Sequence, residues 1–326
     1  MKKEDVILQI KNLSVSMRAG KTRIPAVKDV TLSLKRKGCT GIIGESGCGK
    51  SLTCQAVLGL LEPKKWSVTG AVFLEGEEVP IKDDRSMDHF RGKKLAFAAQ
   101  NPMAALDPRM TMGAHFLEGH PGREWDDIRK NSIRRLARMG IHEPESLWNR
   151  YSFELSGGQL QRVLIALVLG LSPRVLLADE PTTALDQATE RELLRILEDC
   201  QNEEGISILL VSHDLDVIAR MADTVYVMYA GQILEWGEKE AVLGNPLHPY
   251  TGGFLRSRPG FSKERLQAMD GDPPRLGDGM GPGCAFAPRC LFAKEVCKGE
   301  QVLREMTPGH FSRCSCFRGQ REEKHG

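Results

Sequence analysis

Hydrophobic residues near the start of the chain recur at close to every second position. Leu8, Ile10, Leu13 and Val15 form one such set and Val30, Leu32 and Leu34 another, a spacing that predicts two strands separated by a turn region at Gly20. Short apolar runs follow, each bounded by glycine or by charge. Gly41-Ile42-Ile43 reads as a buried strand, Leu52 to Leu58 as a helix ended by Gly59 and Pro63, and Gly70 to Leu74 as a strand closed by Glu75-Gly76. Leu95 to Ala99 reads as a further strand that delivers Gln100 to a loop at Asn101-Pro102. Between 103 and 154 the pattern turns helical. Asp126 and Asp127 can start a helix in which Ile128, Ile133, Leu136 and Met139 make an apolar face that ends near Gly140. A strongly apolar helix through Leu164, Ile165, Leu167 and Val168 comes next, followed by two buried-strand patterns, Val175 to Ala178 and Ile208 to Val211. Strands alternating with helices predict an α/β fold class.

The loop between the third strand and its helix carries the first chemistry. Gly44-Glu45-Ser46-Gly47-Cys48-Gly49-Lys50-Ser51 is a Walker A pattern in the strand-before, helix-after setting it requires, with Leu52 opening the helix. Its glycines let successive N–H groups converge on the α- and β-phosphates of a nucleoside triphosphate. Lys50 can reach the β- and γ-phosphates, and Ser51 offers a hydroxyl to Mg²⁺. Downstream, the two buried strands end in Asp179-Glu180 and in Ser212-His213-Asp214, which puts acids and a histidine at strand carboxyl ends, where α/β sheets bind ligands. Leu155-Ser156-Gly157-Gly158-Gln159 directly precedes the apolar helix. Alone it reads as a loop with a helix N-cap; its place among these motifs gives it a second meaning.

Composition narrows the setting. The 326 residues, 41% hydrophobic, can bury a substantial core, and 45 Lys and Arg against 43 Asp and Glu leave a net charge of +2. No basic stripe with interleaved aromatics is present, so nucleic acid is not an expected partner. Met1 to Asp5 does not read as a secretory leader, and the longest uncharged apolar run, Val163 to Leu171, is well short of the ~18 residues a membrane span requires. A cytosolic chain that reaches a membrane through partners is expected. Nine cysteines in that compartment argue against disulfides and raise the question of metal, since five of them fall in the last 45 residues.

Six motifs in order make the chain resemble the ATP-binding subunit of an ABC transporter. The resemblance implies a P-loop NTPase (RecA-like) core with an antiparallel β subdomain, a helical insert and a small C-terminal cysteine-containing extension. It places the ATP-binding core at residues 1–100 and 159–250, the helical signature subdomain at 101–158 and the extension at 251–326. By resemblance Gly44 to Ser51 is Walker A, Gln100 the Q-loop glutamine, Leu155 to Gln159 the signature motif, Asp179 the Walker B aspartate, Asp186 the D-loop aspartate and His213 the switch histidine. Ser51, Gln100 and Asp179 would then hold Mg²⁺, Glu180 would polarise the attacking water, and His213 would bridge it to the γ-phosphate beside Lys50. Ser156, Gly157, Gly158 and Gln159 would face ATP bound to a second ATPase subunit.

Within that family the chain is most similar to the peptide and nickel uptake subgroup. Gly44-Glu45-Ser46-Gly47, Asp179-Glu180-Pro181-Thr182-Thr183-Ala184-Leu185-Asp186, Asn245 to Thr251 and Pro282 to Cys290 carry this likeness. It implies two different ATPase subunits, two membrane permease subunits, an extracytoplasmic binding protein, and a place on the cytoplasmic face of the membrane. Peptides are the first substrate choice, nickel or a metal chelate the second. A soluble ABC-type ATPase not engaged in transport is the alternative; a P-loop metabolic kinase has no use for the signature motif.

Two features depart from the pattern, and the cysteines of the tail add a third question. Relatives place an aromatic near Met17 to stack on adenine, and no Phe, Tyr or Trp precedes Trp66 here, so base discrimination should be loose. Cys48, at a helix N-terminus beside Lys50, should be an available thiolate. Cys284, Cys290, Cys297 and Cys314, separated by five, six and sixteen residues without a Cys-x-x-Cys pair, suggest a [4Fe–4S] cluster with Cys316 spare. Such a centre, far from the ATP motifs in sequence, should serve the tail's own fold, which Gly- and Pro-rich composition leaves short of buried surface.

Overall fold

The structure is a computed structural model and describes residues 5–120, 122–183, 185–257 and 269–316. The first four residues, on which the absence of a leader was argued, lie outside them. In chain order the elements are β1 (Val6–Ala19), β2 (Thr22–Lys35), β3 (Cys39–Ile43), α1 (Lys50–Val57), β4 (Trp66–Leu74), β5 (Glu77–Val79), α2 (Asp84–Met87) and β6 (Leu95–Ala98). Then come α3 (Pro102–Ala105), α4 (Met112–Glu118), α5 (Trp125–Arg138), α6 (Pro144–Leu147), α7 (Gly157–Gly170), β7 (Val175–Asp179), α8 (Gln187–Asp199) and β8 (Ser207–Val211). The last are α9 (Leu215–Met221), β9 (Thr224–Tyr229), β10 (Gln232–Glu238), α10 (Lys239–Gly244), α11 (Pro249–Arg256), β11 (Arg304–Thr307) and β12 (His310–Ser312).

The chain forms two compact units. One comprises Met1–Lys35, Cys39–Asp84 and Leu210–Gly326, the other Arg36–Gly38 and Arg85–Leu209. In the first, β2, β1, β4 and β5 make an antiparallel sheet. The seven apolar residues of its opening pattern are each no more than 1% exposed. Their spacing slips by one between Ile10 and Leu13 because the β1–β2 register breaks there, and Asn12 takes a left-handed φ of 49° to absorb the extra residue. Strand β3 runs parallel to β9, β9 pairs antiparallel with β10, and a hairpin of β11 and β12 adds to the edge of β10.

That hairpin ties the C-terminal extension into the core of the first unit. Trp236 on β10 stacks with both Tyr226 and Phe311, its ring centre 5.2 Å and 4.3 Å from theirs and its plane nearly parallel to both. Beneath it the wholly buried Glu235 accepts the N–H groups of Leu247 and His248 at 2.7 and 2.8 Å and meets Nε2 of His310 at 2.7 Å. The extension thus finds order in strand pairing and a satisfied buried carboxylate, which composition alone does not reveal.

In the second unit β6 and β7 are parallel, and β7 is buried along its whole length, as a strand covered on both faces must be. Helix α7 is apolar almost all round and buries eight of its residues. Helix α5 has the predicted acidic start and a basic last turn, Arg135 and Arg138. Its inward residues are Ile128, Ser132 and Leu136, a strict four-residue stripe; Ile133 is half-buried beside it.

Candidate functional site

The phosphate loop belongs to the first unit and is folded by its glycines. Gly44 has a φ of 153°, and a Cβ there would meet the Met228 carbonyl oxygen, so no other residue fits. Gly49, at φ 106°, begins α1, which has no side-chain cap, the arrangement that suits a helix N-terminus to an external anion. Lys50 is only 5% exposed, and its Nζ donates to the carbonyl oxygens of Gly44 at 2.8 Å and Glu45 at 2.9 Å. The ammonium is therefore fixed inside the loop it is expected to serve.

Two expectations about this loop change. Cys48 is 2% exposed, and burial raises its thiol above the ordinary range; Lys50, whose Nζ is 3.7 Å from the sulfur, opposes the shift without overcoming it. It is a shielded thiol, not an available thiolate. The position of Met17 on β1 also has an aromatic beside it after all: its cross-strand partner is Trp66 on β4. A search for aromatics upstream of the loop misses it because antiparallel pairing brings in a residue from beyond α1.

The end of the core and the extension both reach the loop. The Glu45 N–H donates to the Tyr250 hydroxyl at 2.9 Å, and the Glu45 carboxylate is gripped by Arg289. Both partners lie in segments already marked by the sequence, Asn245 to Thr251 and Pro282 to Cys290, though neither was singled out. His213, in the same unit, is half-buried just before α9, whose N-cap Asp214 accepts the Asp216 N–H.

The second unit holds the other motif residues. Asp179 closes β7 and is 2% exposed. Glu180 follows at a left-handed φ of 48°, a strained conformation for a residue with a Cβ. Its carboxylate accepts the Gln100 side-chain amide at 2.9 Å and the Thr183 hydroxyl at 2.9 Å. Gln100 and Glu180, expected to share one reaction, are thus brought together. Ser156 caps α7, its Oγ accepting the Gln159 N–H at 3.3 Å while the Gln159 side chain accepts the Ser156 N–H at 3.1 Å. Ser156 and Gly157 are exposed. Asp186 caps α8 by accepting the N–H groups of Ala188 and Thr189 and the Thr189 hydroxyl, and these bonds hold its carboxyl below the usual range.

The metal centre expected on Cys284, Cys290, Cys297 and Cys314 is not supported. Among the described residues no three or more His, Cys, Asp or Glu side chains are placed to hold a metal ion. The sulfurs have other partners: Cys297 Sγ accepts the Lys294 N–H at 3.5 Å and lies 3.6 Å from Cys316 Sγ, and Cys284 Sγ lies 3.9 Å from His248 Nε2. Burial, reinforced by the neighbouring thiols, pushes Cys284 up to about 11 and raises Cys290 as well. Neither the described residues nor the names of the relatives below support a [4Fe–4S] cofactor.

Comparison with known proteins converges on one family. Residues 27–183 match the ABC transporter model, and residues 234–297 match that of the oligopeptide/dipeptide transporter C-terminal region. A putative peptide import ATP-binding protein of Brucella abortus is 37% identical over 313 residues, covering 94% of each chain. The dipeptide transport ATP-binding protein DppD of Bacillus subtilis is 37% identical, covering 89% of this chain and 88% of its own. The oligopeptide transport ATP-binding protein OppD of Escherichia coli is 34% identical, covering 95% and 93%. None of these names supports the nickel alternative. Among solved structures, the ATP-binding cassette MJ0796, in a dimeric post-hydrolysis state bound to ADP and Pi, superposes with a TM-score of 0.64 at 27% identity, over 72% of this chain and 99% of its own. With this fold, this phosphate loop and relatives of this identity along nearly its whole length, the chain belongs to the ATP-binding subunits of ABC transporters.

Proposed function

We propose that this chain hydrolyses ATP to drive uptake of peptides through an ABC importer. The observation that carries the substrate class is the match of residues 234–297 to the C-terminal region of oligopeptide/dipeptide transporters, supported by relatives whose names specify peptide, dipeptide or oligopeptide transport. Residues 1–100 and 159–250 would form the ATP-binding core, 101–158 the signature subdomain and 251–326 the extension. Among the described residues no helix is long and apolar enough to cross a membrane, so two permease subunits would carry the peptide and an extracytoplasmic binding protein would deliver it, with this chain at the cytoplasmic face of the membrane.

In this reading the amides of Gly44 to Ser51 with Leu52 and the Lys50 ammonium bind the triphosphate. The Ser51 hydroxyl, Gln100 and Asp179 suit Mg²⁺, a hard cation that takes oxygen ligands and, when bound, neutralises charge on the β- and γ-phosphates. Glu180 accepts the proton of the attacking water, and His213 orients that water toward the γ-phosphate. Ser156, Gly157, Gly158 and Gln159, with the solvent-facing start of α7, bind the ATP held by a second ATPase subunit, and Asp186 lines the same junction. The dimeric form of the similar cassette supports such pairing, and the likeness to the peptide uptake subgroup implies that the second subunit differs in sequence. Reconstitution of the full complex in liposomes tests this: peptide uptake should require ATP and the loaded binding protein, and nickel ions should not substitute for peptide as cargo.

A further inference from the structure

Glu45, the second residue of the phosphate loop, is held from the C-terminal extension of its own unit. Arg289 donates two parallel hydrogen bonds to its carboxylate, Nη1 to Oε2 at 2.7 Å and Nη2 to Oε1 at 3.1 Å, and the two side chains are only 8% and 16% exposed. Forked pairs of this kind are the most directional ion pairs a protein makes. The guanidinium is itself fixed: Nε donates to the Asp270 carbonyl at 2.8 Å and Nη1 reaches the Tyr229 hydroxyl at 3.4 Å. Its central carbon lies 5.9 Å from the ring centres of both Tyr229 and Phe286. Tyr250 takes the Glu45 N–H, so one loop residue is gripped at backbone and side chain by groups 205 and 244 positions further along.

Charge gives this contact its meaning. A loop that must hold a polyphosphate carries one cation, Lys50, and one carboxylate, Glu45. Left uncompensated in a partly desolvated site, that carboxylate would repel the phosphates and cancel much of what Lys50 contributes. We propose that Arg289 is a positioning residue of the ATPase, which neutralises Glu45 and sets the affinity of the phosphate loop for Mg-ATP, making the C-terminal extension part of the nucleotide site. The inference rests on the reading of Gly44 to Ser51 as that loop.

The test compares the full-length wild type with Arg289→Gln, Arg289→Lys, Glu45→Gln and the Glu45→Gln/Arg289→Gln double variant. Equilibrium binding of Mg-ATP is measured on the purified chain, and kcat and KM in the assembled transporter. Arg289→Gln should weaken Mg-ATP binding and raise KM on the order of tenfold, with kcat changed less than threefold, the size expected for one unscreened charge near the phosphates. Arg289→Lys should recover part of the loss. The double variant, which leaves no uncompensated charge, should bind within threefold of wild type and should fold even if Arg289→Gln does not. A double variant as impaired as Arg289→Gln would mean that the arginine acts through the extension's fold, and an unchanged KM in Arg289→Gln would mean that it does not act on the loop; either overturns the proposal. A wild-type chain that binds no Mg-ATP would instead refute the ATPase reading itself.

Discussion

The side-chain amide of Gln100 donates to the carboxylate of Glu180 across 2.9 Å, so the loop that follows β6 is joined directly to the acid that follows β7. Glu180 is also held by the Thr183 hydroxyl and sits at a left-handed φ of 48°. A strained residue kept in place by two side chains is oriented for a specific task, and any movement of the Gln100 loop must be felt at its carboxylate.

Glu180→Gln should therefore bind Mg-ATP as tightly as wild type yet hydrolyse it about 10²–10⁴ times more slowly, because the water loses its base while the phosphate loop is untouched. Single-turnover hydrolysis with radiolabelled ATP in the assembled complex checks this. Hydrolysis within threefold of wild type would remove Glu180 from its assigned role. Lys50→Ala should instead lose binding.

Cys48 should resist alkylation. The thiol is shielded and its ionisation is suppressed by burial, so iodoacetamide at pH 8 should label it far more slowly than the half-buried Cys284 or Cys290, whether or not Mg-ATP is present. Mass spectrometry of tryptic peptides over a time course gives the rates. Fast labelling of Cys48, blocked by Mg-ATP, would restore the thiolate that the sequence suggested.

His248 predicts an acid limit to stability. Wholly desolvated, its imidazole is pushed from the ordinary 6.5 down to about 3, and it stays neutral while Nδ1 accepts the Tyr250 N–H at 3.1 Å. Above pH 6.5 the group is neutral folded or unfolded and favours neither state. Between 6.5 and 3 only the unfolded chain takes up the proton, so stability falls by about 1.4 kcal/mol per pH unit, ~5 kcal/mol in all. Urea midpoints measured from pH 7.5 to 4.5 should drop steeply for wild type. His248→Asn, which can still cap α11, should drop less, and identical slopes would contradict the assignment.

How much of this was legible follows the range of each interaction. The strands, α7 and its cap could be read because apolar period and capping residues are local signals, and every ATP motif is a short run on one turn or strand end. Ile133 was misjudged because a face drawn from apolarity alone cannot tell which of two adjacent residues, Ser132 or Ile133, points inward. Trp66, Tyr250 and Arg289 were missed because each reaches its place by long-range pairing. Cys48 was misread for a related reason: sequence shows Lys50 two residues away but not the burial that outweighs it. The tail was least legible, since spacing indicated ligands that nothing here supports, while the Trp236–Phe311 stack and the Glu235–His310 pair that order the extension have no sequence signature.

The most direct test of the central claim is ATP-dependent uptake of a labelled oligopeptide into proteoliposomes holding this chain, its partner ATPase subunit and the permeases, with peptide-loaded binding protein outside and Mg-ATP within. The account predicts peptide accumulation that stops with Glu180→Gln in this chain and ATP hydrolysis that rises when loaded binding protein is added. Uptake that continues undiminished with Glu180→Gln, or hydrolysis indifferent to peptide and binding protein, would contradict it.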